Sequence, residues 1–211
     1  MDSNFQRKSA LSQLGLAGQP AHDTGAAGVV MSEQPFRAII NLRGHTEDAD
    51  FMAAAEKALG VALPTQPNTT AMGKETTVIW LSPEEWWIVF ESDEASAERA
   101  LADGLRVSLQ DHHVGVVEVG ESRTCIRISG PRSRDLIAKA CPLDLHPAAF
   151  GGAGHCAQSL FAKSPGLLHQ LEDTAAGDAV FEIYVLWSFA EYLWQWFSDA
   201  AKEYGLAVIT P

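Results

Sequence analysis

Apolar side chains recur at two spacings after residue 35, every second residue in some stretches and every third or fourth residue in others. Short runs rich in β-branched and aromatic residues are typical of strands, which bury alternate side chains. The pattern predicts eight strands, over Phe36–Leu42, Thr76–Leu81, Trp86–Glu91, His113–Val119, Arg123–Ser129, His155–Ala162, Leu167–Leu171 and Ala179–Leu186.

Four stretches with helical spacing alternate with these strands. Thr46 precedes a cluster of acidic residues, and negative charge in the first turn of a helix interacts favourably with the helix dipole. The predicted helices run from Thr46 to Gly60, from Ser92 or Asp93 to about Leu109, from Gly130-Pro131 to Cys141-Pro142, and from Ser188 to Tyr204.

The order of elements in residues 35–120 is repeated in residues 121–208. Each half reads as strand, helix, strand, strand and helix, with an additional strand. The sequence therefore predicts an α+β fold of two similar strand-helix-strand-strand-helix units packed together. Residues 1–34 are rich in Gly, Ala, Ser and Gln and predict a flexible N-terminal arm, and Met31 could be the natural start.

The last predicted helix is unusually aromatic. Ser188 and Glu191 form a capping box, which predicts the helix start. At about 100° per residue, one broad stripe is expected to pack on the chain's own sheet. That stripe comprises Phe189, Tyr192, Leu193, Trp196, Phe197, Ala200 and Tyr204. Phe189, Leu193, Trp196 and Phe197 are assigned to the chain's own core.

Trp187 and Trp194 lie on a second flank of this helix. Trp is favoured at protein interfaces, so we interpret the two side chains as a contact surface for another subunit. A larger core that absorbs both is the alternative. Trp86, beside the predicted turn Ser82-Pro-Glu-Glu85, is a third candidate; it could instead belong to a ligand platform or to the core.

The chain has 211 residues and a formal net charge of −12, which argues against binding nucleic acid or anionic membrane surfaces. It has no apolar run of about 18 residues, the length needed to cross a membrane. No secretion signal is recognised, so a cytoplasmic protein is expected, with reduced thiols at Cys125, Cys141 and Cys156.

Signatures of catalysis or cofactor binding are few. Gly151-Gly-Ala-Gly154 lacks the strand and helix that a phosphate-binding loop needs. Cys141, His146, His155 and Cys156 do not have zinc-site spacing. A thiol enzyme that uses Cys141 with His146, or Cys156, is the weakest interpretation. We therefore predict no catalytic, cofactor-binding or metal residues in this chain.

Several motifs together resemble the gamma subunit of heterotetrameric sarcosine oxidase, in the right order over residues 36–208. They are Leu81-Ser-Pro-Glu-Glu-Trp86, Ile128-Ser-Gly-Pro131, Leu136-Ile-Ala-Lys-Ala-Cys-Pro-Leu-Asp-Leu-His-Pro147, His155-Cys-Ala-Gln158 and Trp187-Ser-Phe-Ala-Glu-Tyr-Leu-Trp194. The resemblance implies a fold like the folate-binding region of the glycine cleavage T-protein. It also implies partnership with alpha, beta and delta subunits.

The family's holoenzyme oxidises sarcosine to glycine and produces hydrogen peroxide, with formaldehyde or, when tetrahydrofolate is present, 5,10-methylenetetrahydrofolate. The resemblance places FAD, FMN, NAD, tetrahydrofolate and zinc on other subunits, so the gamma chain is expected to be a non-catalytic assembly subunit. A free-standing folate-binding module is the alternative, with Glu84, Glu85 and Trp86 as candidates for the pterin site.

Overall fold

The computed structural model describes residues 7–16, 27–91 and 96–209. Within them the chain forms eleven strands. Their bounds are β1 Val29–Gln34, β2 Ala38–Arg43, β3 Thr70–Met72, β4 Thr76–Ser82, β5 Glu85–Phe90, β6 Gly115–Glu118, β7 Arg123–Ser129, β8 Cys156–Phe161, β9 Ser164–Gln170, β10 Phe181–Leu186 and β11 Leu206–Val208.

The four predicted helices are present, with some different starting residues. They are α1 Ala49–Leu59, α2 Ala97–Ser108, α3 Ser133–Ala140 and α4 Trp187–Ala200, with short 3-10 turns at Ser12–Leu14, Gly120–Ser122 and Lys202–Tyr204. Asp48, not Thr46, caps α1 and accepts a bond of 2.9 Å from the Phe51 amide. Ser92 and Asp93 lie outside the described residues.

The predicted capping box at the start of α4 is wrong. Helix α4 begins at Trp187, one residue earlier than predicted, and its N-cap is Leu186, which makes no side-chain capping bond. Strand β10 ends at Leu186, so the strand passes into the helix without a turn. Continuity with the sheet therefore fixes the helix start in place of a capping side chain.

Two sheets repeat one topology. The strand order is β3-β4-β5-β2-β6 in one sheet and β8-β9-β10-β7-β1-β11 in the other. If β1 is removed, the second order matches the first strand for strand, and α3 and α4 occupy the chain positions of α1 and α2. The α+β fold of two similar units is confirmed.

Strand β1 is the exception to this duplication, and it corrects the predicted N-terminal arm. Val29–Gln34 lies between β7, to which it is antiparallel, and β11, to which it is parallel. Val29 and Met31 are fully buried. The last six residues of the predicted arm are therefore an inner strand of the second sheet; residues 1–6 and 17–26 lie outside the described part of the chain.

The elements stack in four layers, helices on the outside and the two sheets between them. One core lies under α1 and α2, and another under α3 and α4, where Leu11 from the N-terminal segment also packs. A third core fills the space between the sheets and contains Ile39, Ile79, Leu81, Trp87, Val89, Cys125, Cys156, Leu167 and Tyr184. Along the described chain, none of the helices has the length and apolar character to cross a bilayer.

Candidate functional site

The structure separates the three tryptophans proposed as interface residues. Trp86 is fully buried under α1, and its indole N–H donates to the Pro64 carbonyl at 2.7 Å. Trp194 is 4% exposed within the core under α3 and α4. Both assignments to an interface are wrong for this conformation, because the chain itself covers these side chains. Trp187 is 41% exposed and remains a candidate.

The interface between the two sheets is apolar at its centre. The Trp87 ring meets the Tyr184 ring edge-on, with the centroids 6.0 Å apart. Cys125 and Leu167 lie beside them. Each end of this interface opens toward solvent in a cavity; the first is lined by several charged residues, and the second has Arg123 as its one charged lining residue. These two openings are where functional chemistry could occur.

The first opening contains a buried ionic network that we call the Glu182 cluster: Arg37, Glu91, Arg127, Glu182 and Tyr184. Glu182 Oε1 accepts from Arg37 Nη2 and from Arg127 Nη2, each at 2.6 Å, and Oε2 accepts from the Tyr184 hydroxyl at 2.6 Å. Glu91 pairs with Arg37 on the solvent side. Arg37 belongs to the first sheet's half of the chain and Glu182 to the second sheet, so the cluster links the units.

Burial opposes the charges of this cluster, and their mutual attraction overcomes it. Burial raises the pKa of Glu182, but Arg37, the Tyr184 hydroxyl and Arg127 together lower it below its ordinary value. Burial likewise lowers the pKa of Arg37, but Glu182 and the neighbouring groups raise it above its usual value. The carboxylate and guanidinium are both charged at neutral pH.

A cavity of about 420 Å³ lies over the Glu182 cluster and includes His169 in its wall. His169 is 3% exposed, and its Nδ1 has no hydrogen-bond partner among the described residues. Burial lowers the pKa of His169 to about 4, so the imidazole is neutral at pH 7. The charged groups of the Glu182 cluster pair with one another, which makes the cluster a structural link.

The second opening lies at the opposite ends of the same strands. Arg123 is the first residue of β7, and its guanidinium carbon lies 4.7 Å from the centroid of the Trp87 ring. In the β7–β10 ladder, Arg123 lies opposite Leu186, the last residue of β10. Trp187 follows Leu186 and therefore lies near Arg123. The cavity here is about 180 Å³.

The three cysteines lie in environments that do not favour catalysis. All are buried and free. Burial raises the pKa of Cys125 well above its usual value and that of Cys156 to about 12, so their reactive thiolate forms are disfavoured. The Cys141 thiol donates to Ser159 Oγ at 3.4 Å, whereas the exposed His146 accepts from the Ala148 amide. The thiol-enzyme interpretation finds no support in these contacts.

Other candidate groups have structural partners. Among the described residues, no group of three or more His, Cys, Asp and Glu could hold a metal ion. The buried Glu33 accepts from the Thr124 hydroxyl at 2.9 Å and the Leu11 amide at 3.3 Å. The buried Glu98 accepts from the amides of Ile39 and Gly120 at 3.1 and 2.8 Å. Both carboxylates satisfy backbone or hydroxyl donors inside the fold.

The residues proposed for a pterin site do not form one. Glu84 pairs with His45 at 2.7 Å, and Glu85 accepts from Asn41 at 2.7 Å. Trp86 is buried on the opposite side of its strand from the inter-sheet space that contains Trp87. The three side chains therefore do not combine a carboxylate with an aromatic wall in one cavity.

Sequence comparison decides the family. A sequence model of the "Sarcosine oxidase, gamma subunit family" matches residues 43–203. The chain belongs to this family. Sarcosine oxidase subunit gamma of Corynebacterium sp. (strain U-96) is 30% identical over 210 residues, which cover 99% of this chain and 97% of that protein. The subunit of Arthrobacter sp. is 31% identical over 191 residues, covering 90% and 88%.

Solved structures agree with this membership. A chain of heterotetrameric sarcosine oxidase from Corynebacterium sp. U-96 superposes with a TM-score of 0.80 at 27% identity, covering 96% of this chain and 98% of that one. Aminomethyltransferase T of the glycine cleavage system from Bartonella henselae gives 0.58 at 14% identity, covering 87% of this chain and 48% of that one. The second likeness shows a shared fold. A free-standing folate-binding module is not favoured, since gamma subunits match over nearly their full lengths.

The Glu182 cluster was not predicted from the sequence. A signal was available: Glu182 interrupts the apolar run from Val180 to Leu186 and shares a strand face with Tyr184. A carboxylate on a buried strand face requires hydrogen-bond donors or a cationic partner. The partner, Arg37, could not be identified because it lies 145 positions away.

Proposed function

We propose that this chain is a non-catalytic assembly subunit of a sarcosine oxidase in the cytoplasm. Its partners are the alpha, beta and delta subunits of a heterotetramer, which oxidises sarcosine to glycine. FAD, FMN, NAD, tetrahydrofolate and zinc belong to those other subunits. The proposal rests on membership of the gamma subunit family, combined with the chemistry of the two inter-sheet openings.

One observation carries the non-catalytic part of the proposal. In the cavity of about 420 Å³, both carboxylate oxygens of Glu182 are already engaged, Oε1 by Arg37 and Arg127 and Oε2 by Tyr184. A general acid or base must be within hydrogen-bond reach of the proton that it transfers. His169 is neutral and buried beneath this network.

The residues of this chain also offer a poor fit to the implied cofactors. Ligand sites are mostly apolar with a few convergent polar groups, whereas the cavity over the Glu182 cluster is lined by several charged residues, and Glu182 is paired with both Arg37 and Arg127. The described residues contain no cluster suited to a metal ion. These features support placing the cofactors on other subunits.

Co-expression tests the proposal. The genes for the remaining subunits are expressed with and without this chain, and the yield of assembled flavoprotein and its sarcosine-dependent peroxide production are measured. Without this chain, we expect the remaining subunits to become less soluble or to assemble in altered proportions. Full assembly and unchanged turnover per flavin in its absence would contradict the proposal.

A further inference from the structure

Arg123 differs from the other described arginines in its partners. Seven of them, Arg7, Arg37, Arg43, Arg99, Arg106, Arg127 and Arg132, pair with a carboxylate. Arg134 instead donates to the carbonyls of Leu145 and Phe150 at 2.8 and 2.7 Å. Arg123 pairs with no carboxylate of the described chain and donates at 2.7 Å to the hydroxyl of the adjacent Ser122.

The environment of Arg123 makes this unpaired charge unusual. The guanidinium is half-buried over the face of Trp87, which is 7% exposed. Burial lowers the pKa of Arg123 from its usual value, the direction expected when a cation loses water without gaining a carboxylate. A guanidinium has five N–H donors in a planar fork, and most of these remain available to an external acceptor.

We define the Arg123 mouth as the cavity lined by Trp87, Arg123, Gln158, Ser159, Pro165, Gly166, Leu167, Tyr184 and Leu186. Two exposed apolar side chains flank it. Trp187, 41% exposed, follows Leu186, and Leu160, 55% exposed, pairs with Pro165 across the β8–β9 ladder. The mouth therefore combines a cation and an aromatic floor with an apolar rim.

We propose that the Arg123 mouth receives an Asp or Glu side chain of another subunit of the assembly, whose apolar neighbours cover Trp187 and Leu160. The inference rests on the proposed function, because it requires an assembled enzyme. Arg and Trp are enriched among residues that dominate interface energetics, and arginine binds a carboxylate through two parallel hydrogen bonds. The cation in the mouth supplies the charge complementarity.

Size and charge favour this occupant over two others. Small-molecule sites usually measure about 300–1,000 Å³, whereas the mouth measures about 180 Å³ and its apolar rim continues outside it. A second copy of this chain would bring together two molecules of net charge −12, which repel each other. A carboxylate from another subunit satisfies the guanidinium, and the apolar residues beside that carboxylate cover the rim.

The test uses the complete complex, purified through a tag on this chain. Its dissociation on dilution is followed by mass photometry at low and high salt. Arg123→Gln is expected to raise the apparent Kd for release of this chain by at least about tenfold at low salt, and less at high salt. Arg123→Lys, which keeps the charge, is expected to recover part of the loss. Arg99→Gln, at a side chain that is 74% exposed on α2, is the matched control and should change the Kd by less than about twofold.

A second measurement identifies the occupant. In the complex that contains the Arg123→Lys variant, a carbodiimide should couple the new amine to a carboxylate, and mass spectrometry should find that carboxylate on another subunit. Equal release of wild type and Arg123→Gln would overturn the inference while leaving the proposed function intact. A cross-link to a second copy of this chain would also overturn it. If the tagged wild-type chain retains no other subunit, the proposed function itself fails.

Discussion

Arg37 and Glu182 lie 145 positions apart in the chain, and their side chains meet at 2.6 Å between the two sheets. Arg37 precedes the first strand of one unit, and Glu182 lies in the central part of the other sheet. Burial of a charge is costly unless a partner compensates it. The pair therefore makes the packing of the two units depend on specific residues as well as on apolar area.

Removing the charge of Glu182 should destabilise the fold. In Glu182→Gln, two guanidinium groups remain close together and lose their shared carboxylate. We expect the free energy of unfolding to fall by about 3 kcal/mol or more, measured by urea denaturation. Asp199→Asn, which removes an exposed partner of Lys202, should leave the denaturation midpoint unchanged. Equal midpoints for Glu182→Gln and wild type would show that the cluster does not hold the units together.

Acidification should destabilise the protein through His169. Its pKa is about 4 in the fold and 6.5 ordinarily, so the unfolded state binds more protons between these values and stability rises with pH. Between pH 6.5 and 4, about 3 kcal/mol should be lost through this group. Glu182, whose pKa is lowered in the fold, acts in the same direction.

His169→Gln should therefore flatten the decline in thermal stability between pH 6.5 and 4. His146 is the control because its side chain is exposed, and we expect His146→Gln to keep the wild-type dependence of thermal stability on pH. An unchanged acid-dependent decline in His169→Gln would exclude His169 as its source. Calorimetry or circular dichroism at a series of pH values provides the measurement.

Trp187→Ala and Trp194→Ala should impair different properties: the first should weaken subunit association, and the second should destabilise the fold. Trp194 is buried under α3, so its truncation leaves a cavity and should cost about 3–5 kcal/mol of stability. Trp187 is 41% exposed, so its truncation should change stability by less than about 1 kcal/mol and weaken subunit association. Thermal unfolding and co-purification separate the two effects. Unfolding caused by Trp187→Ala would place that side chain in the core.

Strand β1 should be necessary for stability. A chain that starts at Met31 lacks the bonds that Gly28 and Val29 amides donate to Tyr204 and Gly205 at 2.9 and 3.1 Å, and it lacks buried Val29. Relative to a chain that starts at Ala27, we expect a loss of about 3 kcal/mol or more. The two chains differ only in residues 27–30, so the comparison measures the contribution of these four residues to stability. Equal melting temperatures would show that the β1–β11 pairing contributes little.

The duplicated fold was predictable because hydrophobic periodicity is local and each unit repeats it. Strand β1 was not, because Ser32, Glu33 and Gln34 interrupt its apolar pattern. Glu33 is buried through its bond to Thr124, 91 positions away, and such a pairing cannot be derived from neighbouring residues. Strands β3 and β11, with three residues each, are too short to show a period.

The faces of the aromatic residues were also beyond local reasoning. Trp86 and Trp87 point to opposite faces of strand β5. Because both faces are covered, both side chains are buried, each in a different core. Trp194 is covered because α3, the N-terminal segment and β1 widen the core under α4. Whether a second flank of a helix is buried depends on neighbours that the sequence of that helix does not specify.

As a member of the gamma subunit family, this chain is expected to work as a subunit of a larger enzyme. Its most direct test is the native mass and absorbance spectrum of the material isolated from its source through a tag on this chain. We expect a complex with larger subunits present in fixed proportion and with flavin absorbance. A colourless species with the mass of the single chain would contradict it.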